Sequence, residues 1–117
     1  MIRRLVAVVF GLTLAFGLGA CGSAAAGDPS VVKEITVTIV GTTVTPAPDR
    51  IEVAKGQSVR LTVTSDRADM LHVHGYDKSL ELKPGTPAVL QFVADQDGLF
   101  EVEVHSSHLQ LFQLEVQ

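Results

Sequence analysis

Apolar and acidic side chains alternate without a break along the stretch Phe100-Glu101-Val102-Glu103-Val104. A period of two puts the apolar side chains on one face of a β-strand and the glutamates on the other. The same period occurs in three further segments: Ile35 to Ile39, Val59 to Val63 and Phe112 to Val116. Each of these segments is therefore a predicted strand with one face turned towards a core.

Turn-forming sequences separate the predicted strands, and no stretch carries a helical apolar stripe of comparable length. The turns are Pro46-Ala47-Pro48-Asp49, Lys55-Gly56-Gln57, His74-Gly75-Tyr76-Asp77, Lys83-Pro84-Gly85 and Asp95-Gln96-Asp97-Gly98. This spacing predicts an all-β protein, an antiparallel Greek-key β-sandwich of about seven or eight strands. The side chains expected to be buried together between the sheets are Phe100, Val102, Val104, Leu61, Val63 and Leu114.

The start of the chain has the features of a secretory signal. Arg3 and Arg4 precede an apolar run that ends in Leu18-Gly19-Ala20-Cys21. The run is short for a spanning helix, and it closes at a cysteine rather than at a stop-transfer charge. This pattern resembles the lipobox of bacterial lipoproteins, which implies cleavage before Cys21 and lipidation of that residue. An uncleaved anchor, or a plain signal peptide followed by an incidental cysteine, is the alternative.

We therefore expect three parts: a lipoprotein signal peptide over 1–20, the lipidated cysteine and a flexible tether over 21–30, and a single domain over 31–117. The expected location is the cell membrane, with the domain lipid-anchored on the extracytoplasmic face. Because Cys21 is the only cysteine, the domain is expected to have neither a disulfide nor a thiolate.

Charge and composition argue against two classes of function, nucleic-acid binding and catalysis. Once Arg3 and Arg4 leave with the signal peptide, seven basic and thirteen acidic residues remain, a formal charge of −6. Since phosphate binding needs clustered Lys and Arg, nucleic acid is not expected as a partner. No nucleophile elbow or ordered triad is recognisable, so the sequence does not predict an enzyme.

All four histidines fall in the second half of the chain, at His72, His74, His105 and His108. Three chain reversals separate the strand that starts near Met70 from the strand that ends at Val104. His72 should therefore lie near His105 and His108, with His74 on the same side as an optional fourth ligand. Three or four imidazoles without a thiolate suit Cu(II) or zinc.

Several residues near these histidines could serve a metal site, but a structural role explains each of them as well. Met70 could add a thioether that favours Cu(I), although core filling is the favoured role for it. Glu101 and Glu103 share a strand face that solvent exposure explains. Asp69 could orient a ligand imidazole or stabilise a turn.

The pattern of turns and strand ends resembles the cupredoxins, the plastocyanin-like and azurin-like copper proteins. The stretches that carry the resemblance are Val53-Ala54-Lys55-Gly56-Gln57-Ser58-Val59, Lys83-Pro84-Gly85, Gly98-Leu99-Phe100 and His105-Ser106-Ser107-His108. The resemblance covers residues 34–117 and implies a cupredoxin-like fold, with His72 and His108 at the positions of copper ligands. His105 stands where the family has its ligand cysteine, so a blue-copper chromophore is not expected.

Two functions follow. In the first, the protein is a lipoprotein that holds or passes a metal ion, with copper favoured and zinc as the alternative. In the second, it is a metal-free sandwich, without a cofactor, that binds a protein partner or a small ligand. Convergence of His72, His105 and His108 on one ion distinguishes the two.

Overall fold

The computed structural model describes residues 27–117 as nine β-strands. These are β1 (Lys33–Val40), β2 (Thr43–Thr45), β3 (Arg50–Val53), β4 (Ser58–Ser65), β5 (Asp69–Val73), β6 (Lys78–Leu82), β7 (Ala88–Val93), β8 (Gly98–Val104) and β9 (Leu109–Val116). Within this part of the chain there is no helix of the length and apolar character needed to cross a membrane. The predicted signal peptide over 1–20, and Cys21, lie outside the described residues.

The strands form two sheets, which confirms the all-β prediction. One sheet has the order β2-β1-β4-β7 and the other the order β3-β9-β8-β5-β6. Two pairs, β1 with β4 and β3 with β9, run parallel, whereas the sequence predicted antiparallel pairing and one or two strands fewer. Each parallel pair joins strands that are not consecutive, so the chain has returned to its starting end before the second strand begins.

The core lies between the sheets and is filled by the alternating residues. In β1 and β4 every second side chain is buried, from Ile35 to Ile39 and from Val59 to Val63. Five of the six predicted core residues are buried: Val102, Val104, Leu61, Val63 and Leu114. The sixth, Phe100, is half-buried and packs against the rim of the core.

Phe100 differs because its ring fills a corner at the β5–β6 turn. Gly75 in that turn has φ +83°, and a Cβ added there would lie 2.5 Å from Cδ1 of Phe100. The ring of Tyr76 meets the Phe100 ring edge-on, with 4.7 Å between centroids. The Tyr76 hydroxyl donates to the carbonyl of Gln96 at 2.7 Å and accepts from its N–H at 3.1 Å. Through these contacts, Tyr76 connects the end of β5 to the β7–β8 turn.

The beginning of the domain is fixed at one end of the sandwich by a buried glutamine. Gln57 accepts a hydrogen bond from the N–H of Ala54 and donates one to the carbonyl of Val31. Gly56 N–H bonds the carbonyl of Ala94 beside it. Strand β8 starts at this end, and its far end leads into the turn at residues 105–108. The chain thus enters the domain about 20 Å, the length of β8, from that turn.

Candidate metal centre

The four histidines lie on or beside the outer face of the five-stranded sheet. In the antiparallel pair of β5 and β8, Leu71 lies opposite Val104 and His72 opposite Glu103. Leu71 and Val104 are buried in the core, so His72 and Glu103 project from the other face.

Two further rows flank that pair. The N–H of His105 donates to the carbonyl of Met70 at 2.8 Å, and the N–H of His74 donates to the carbonyl of Glu101 at 2.9 Å. Three cross-strand rows result, and His108 lies in the turn that follows. We call these residues the histidine face: Met70, His72, His74, Glu101, Glu103, His105 and His108.

Glu103 is at the centre of this face. Its Oε1 lies 2.8 Å from Nε2 of His74 and 3.9 Å from Nδ1 of His108. The rings of His72 and His74 stand edge to face, with 4.5 Å between centroids. One carboxylate oxygen thus contacts imidazoles from two separate segments, and a third imidazole packs against the nearer of them.

His105 occupies the neighbouring row. Its ring centroid lies 6.1 Å from that of His108. The strand ends meet as the reversal count predicts, but the ring of His72 packs on His74 rather than on His105. The structure therefore places His74 and His108 against Glu103, with His72 packed on His74 and His105 beside His108.

A single carboxylate holds the turn that carries His105 and His108. Oδ1 of Asp69 accepts hydrogen bonds from the N–H of Ser106 at 3.0 Å and from the N–H of Met70 at 2.8 Å. His108 has φ +51°, the left-handed region that a non-glycine residue seldom occupies. Asp69 therefore has the role of stabilising the turn, and through it fixes the backbone beside both histidines.

Two residues differ from the sequence-based interpretation. Glu103, assigned there to solvent exposure, contacts two histidines, and combining strand alternation with the reversal count would have placed it beside His72. Met70, for which core filling was favoured, is 41% exposed on the outer face. The buried Leu71 and Val73 on either side of His72 take the inward positions, which leaves Met70 outside.

The distances around Glu103 can be compared with those of a metal site. Two ligand atoms bound to one tetrahedral ion at about 2.0 to 2.1 Å are about 3.3 Å apart. The separations of 2.8 and 3.9 Å fall on either side of that value. As the side chains stand, no group of three or more His, Cys, Asp or Glu within residues 27–117 is arranged to hold a metal ion.

Rotation of exposed side chains would be needed to complete such a group. The side chains of His74 and His108 are 46% and 78% exposed, so solvent rather than packing surrounds much of each ring. The donors are nitrogen and oxygen atoms, which fit Cu(II) or zinc. The thiolate site of the blue-copper proteins does not fit, because no cysteine follows Cys21.

The turn beneath these histidines should make stability depend on pH through Asp69. Partial burial raises the pKa of Asp69, but the hydrogen bonds from Ser106 and Met70 and the charge of Arg67 together outweigh it, and the pKa is lowered overall. The unfolded chain then binds more protons than the folded chain near pH 4, so stability falls as the pH drops below that value. Urea unfolding of the Asp69→Asn variant should show a weaker loss of stability between pH 5 and pH 3 than the wild type. Equal pH dependence in the two proteins would contradict this.

Comparison with solved structures identifies the class of fold. An apo copper-binding protein solved by NMR aligns with 74% of this chain and 88% of its own at a TM-score of 0.59 and 18% identity. Auracyanin from the photosynthetic bacterium Roseiflexus castenholzii aligns with 73% of this chain and 97% of its own at a TM-score of 0.58 and 14% identity. The copper nitrite reductase of Nitrosomonas europaea aligns with 74% and 42% at a TM-score of 0.56 and 18% identity.

The fold of this chain is therefore cupredoxin-like, as the resemblance in the sequence implied. The neighbours include both enzymes and small copper proteins, and at these identities they establish the fold alone. The chain spans 65% of a chain of a heme-copper terminal oxidase and 23% of a multicopper oxidase that functions in iron import. No protein-family model and no curated protein matches the sequence.

Proposed function

We propose that this protein is a lipid-anchored extracytoplasmic cupredoxin-like protein that binds Cu(II) on the histidine face, and that it holds or passes the ion. The proposed ligands are His72, His74, Glu103 and His108. The observation that carries the proposal is the contact of one Glu103 oxygen with two imidazoles, at 2.8 and 3.9 Å. Zinc, which accepts the same donors, is the alternative ion.

Each ligand has a distinct part in this proposal. Glu103 has a side chain only 19% exposed, so the strand pair holds its carboxylate in place while the histidine rings move towards it. The Nε2 proton that His74 donates to Glu103 would move to Nδ1 or be released to solvent when an ion takes its place, because a coordinated nitrogen must offer a lone pair. A bound Cu(II) would supply a centre that accepts ligands from nitrogen and oxygen.

Exposure of the face favours holding or passing an ion over catalysis. A partner's donor atoms could reach an ion at His74 or His108 from solvent, so ligands could be exchanged without opening the fold. This is the basis for proposing a protein partner. The metal-free interaction module is the second candidate, and it is favoured by the absence of a ready-made metal group within residues 27–117.

The proposal is tested by titrating the full chain with Cu(II) in a calorimeter, which measures the affinity for the ion. We expect His74→Ala and Glu103→Ala each to weaken Cu(II) binding at least tenfold. Glu52→Ala is the matched control for Glu103→Ala, because Glu52 is an exposed glutamate on β3 of the same sheet. If both alanine variants bind Cu(II) and zinc as tightly as the wild type, the proposed ligands are wrong. If the wild type binds neither ion, the metal-free function replaces this one.

The proposed anchor at Cys21 is tested separately. Cys21→Ser should prevent lipidation, so the protein should accumulate unprocessed or leave the membrane fraction. Fractionation followed by mass spectrometry of the amino terminus measures both results. A correctly cleaved Cys21→Ser protein that still partitions with membranes would show that the lipobox interpretation is wrong. Because Val31 and the 105–108 turn lie at opposite ends of the sandwich, an anchored domain would hold its histidines away from the lipid surface.

A further inference from the structure

The histidine face has a row that the proposed Cu(II) ligands do not use, formed by Met70 and His105. We propose that this row is a separate subsite for Cu(I), with His108 as the nearest third ligand. This inference rests on the proposed function, because it places a second oxidation state of the same metal on the same face. Compared with the Cu(II) site, the Cu(I) subsite adds the soft thioether of Met70 and lies in a different row of the face.

The placement of Met70 carries the first step. The side chain is 41% exposed, although β5 has two neighbouring positions, Leu71 and Val73, that are wholly buried. Strand alternation therefore puts the thioether on the same face as His72, outside the core. A thioether is a soft ligand, and soft ligands select Cu(I) rather than Cu(II) or zinc.

The position of His105 carries the second step. Its N–H donates to the carbonyl of Met70, so the two residues lie directly opposite each other across the strand pair. Side chains in that relation have Cβ atoms about 5 Å apart, close enough for sulfur and an imidazole nitrogen to bind one ion. The ring of His108 lies 6.1 Å from that of His105, between centroids, which supplies a third donor nearby.

Rigidity of the backbone carries the third step. The same Asp69 oxygen accepts hydrogen bonds from the N–H of Met70 and from the N–H of Ser106, the residue after His105. One carboxylate therefore fixes the main chain on both sides of the row. The backbone of Met70 and His105 is therefore already in place, and only the rotamers of the two side chains have to change to bind an ion.

The two sets of donors are adjacent and share only His108. Met70 is two residues before His72 on β5, which puts the Cu(I) row about 7 Å from the row of His72 and Glu103. One set offers sulfur and imidazole, and the other offers imidazole and carboxylate. Cu(I) therefore binds at the row with the softer ligands and Cu(II) at the row with the harder ligands of the same strand pair. His108 is within reach of both rows.

The experiment measures Cu(I) and Cu(II) affinity separately on the full chain. Cu(I) is titrated without oxygen against a chromophoric chelator, and Cu(II) is titrated in air. Met70→Leu, which preserves size and apolar character, should weaken Cu(I) binding at least tenfold and leave Cu(II) binding unchanged. His105→Gln should do the same. X-ray absorption of the Cu(I) protein should show a sulfur neighbour that disappears in Met70→Leu.

The outcomes separate this inference from the proposed function. If Met70→Leu keeps the full Cu(I) affinity while Glu103→Ala loses Cu(II), the subsite is overturned and the proposed function stands. If Met70→Leu loses Cu(I) while Glu103→Ala keeps Cu(II), the Cu(I) row stands and the proposed Cu(II) ligands are wrong. A Cu(I) spectrum without a sulfur neighbour in the wild type would overturn the subsite directly.

Discussion

Gly75→Ala should destabilise the protein by about 2 to 5 kcal/mol, among the largest effects expected of any single methyl group added to this fold. The new Cβ would lie 2.5 Å from Cδ1 and 2.7 Å from Cε1 of Phe100, so the ring would have to leave its place. The φ of +83° adds a second cost, because an L side chain is strained there. The measurement is the free energy of unfolding in urea.

Gly85→Ala is the matched control for this prediction. Gly85 also has a positive φ, +70°, but a Cβ there would meet nothing within 4 Å. Gly85→Ala should therefore lower the free energy of unfolding by only about 1 to 2 kcal/mol, the cost of the positive φ alone. Equal losses in the two variants would show that contact with Phe100 contributes nothing. Because His74 precedes Gly75, we also expect Gly75→Ala to weaken Cu(II) binding while Gly85→Ala leaves it unchanged.

Leu61→Ala should cost about 3 to 5 kcal/mol of unfolding free energy. Leu61 is wholly buried in β4, where it pairs with Ile35 on one side and Leu90 on the other. Removing its side chain leaves a cavity that two neighbouring strands cannot close. Small domains have total stabilities of about 5 to 15 kcal/mol, so at the lower end of that range the variant would be close to unfolding at room temperature.

Leu99→Ala makes the same chemical change at a different depth. Leu99 is 48% exposed at the start of β8, so its truncation should cost less than about 1 kcal/mol. Urea or thermal unfolding of the two variants side by side measures the difference. If Leu99→Ala is as destabilising as Leu61→Ala, the assignment of the core to the space between the two sheets is wrong.

The strands and the core could be predicted because they depend on local pattern. The period of two over Phe100 to Val104 and over Val59 to Val63 places the core side chains directly. Parallel pairing of β1 with β4 could not be predicted, since it depends on where distant segments meet. The half-burial of Phe100 follows from its contact with Gly75, a residue 25 positions earlier in the chain.

The candidate site could be predicted only in part, for a similar reason. Reversal counting brings the end of β8 to the beginning of β5, and the pairing of Leu71 with Val104 agrees with it. It gives no information on which way each ring turns, so it could not distinguish the His72–His74 pair from a His72–His105 pair. Solvent exposure is a sufficient explanation of Glu103, a glutamate that alternates with valines, until its cross-strand neighbour is known.

Electron paramagnetic resonance of the Cu(II)-loaded full chain shows whether the histidine face binds the ion. We expect coupling to three imidazole nitrogens in the wild type and to one fewer in His74→Ala. The Cu(II) protein should be pale, without the intense thiolate-to-copper absorption of a blue site. Glu103→Ala should keep imidazole coupling but bind the ion more weakly. A spectrum without imidazole nitrogen, or one that is the same in the wild type and His74→Ala, would contradict the proposal that this face binds copper.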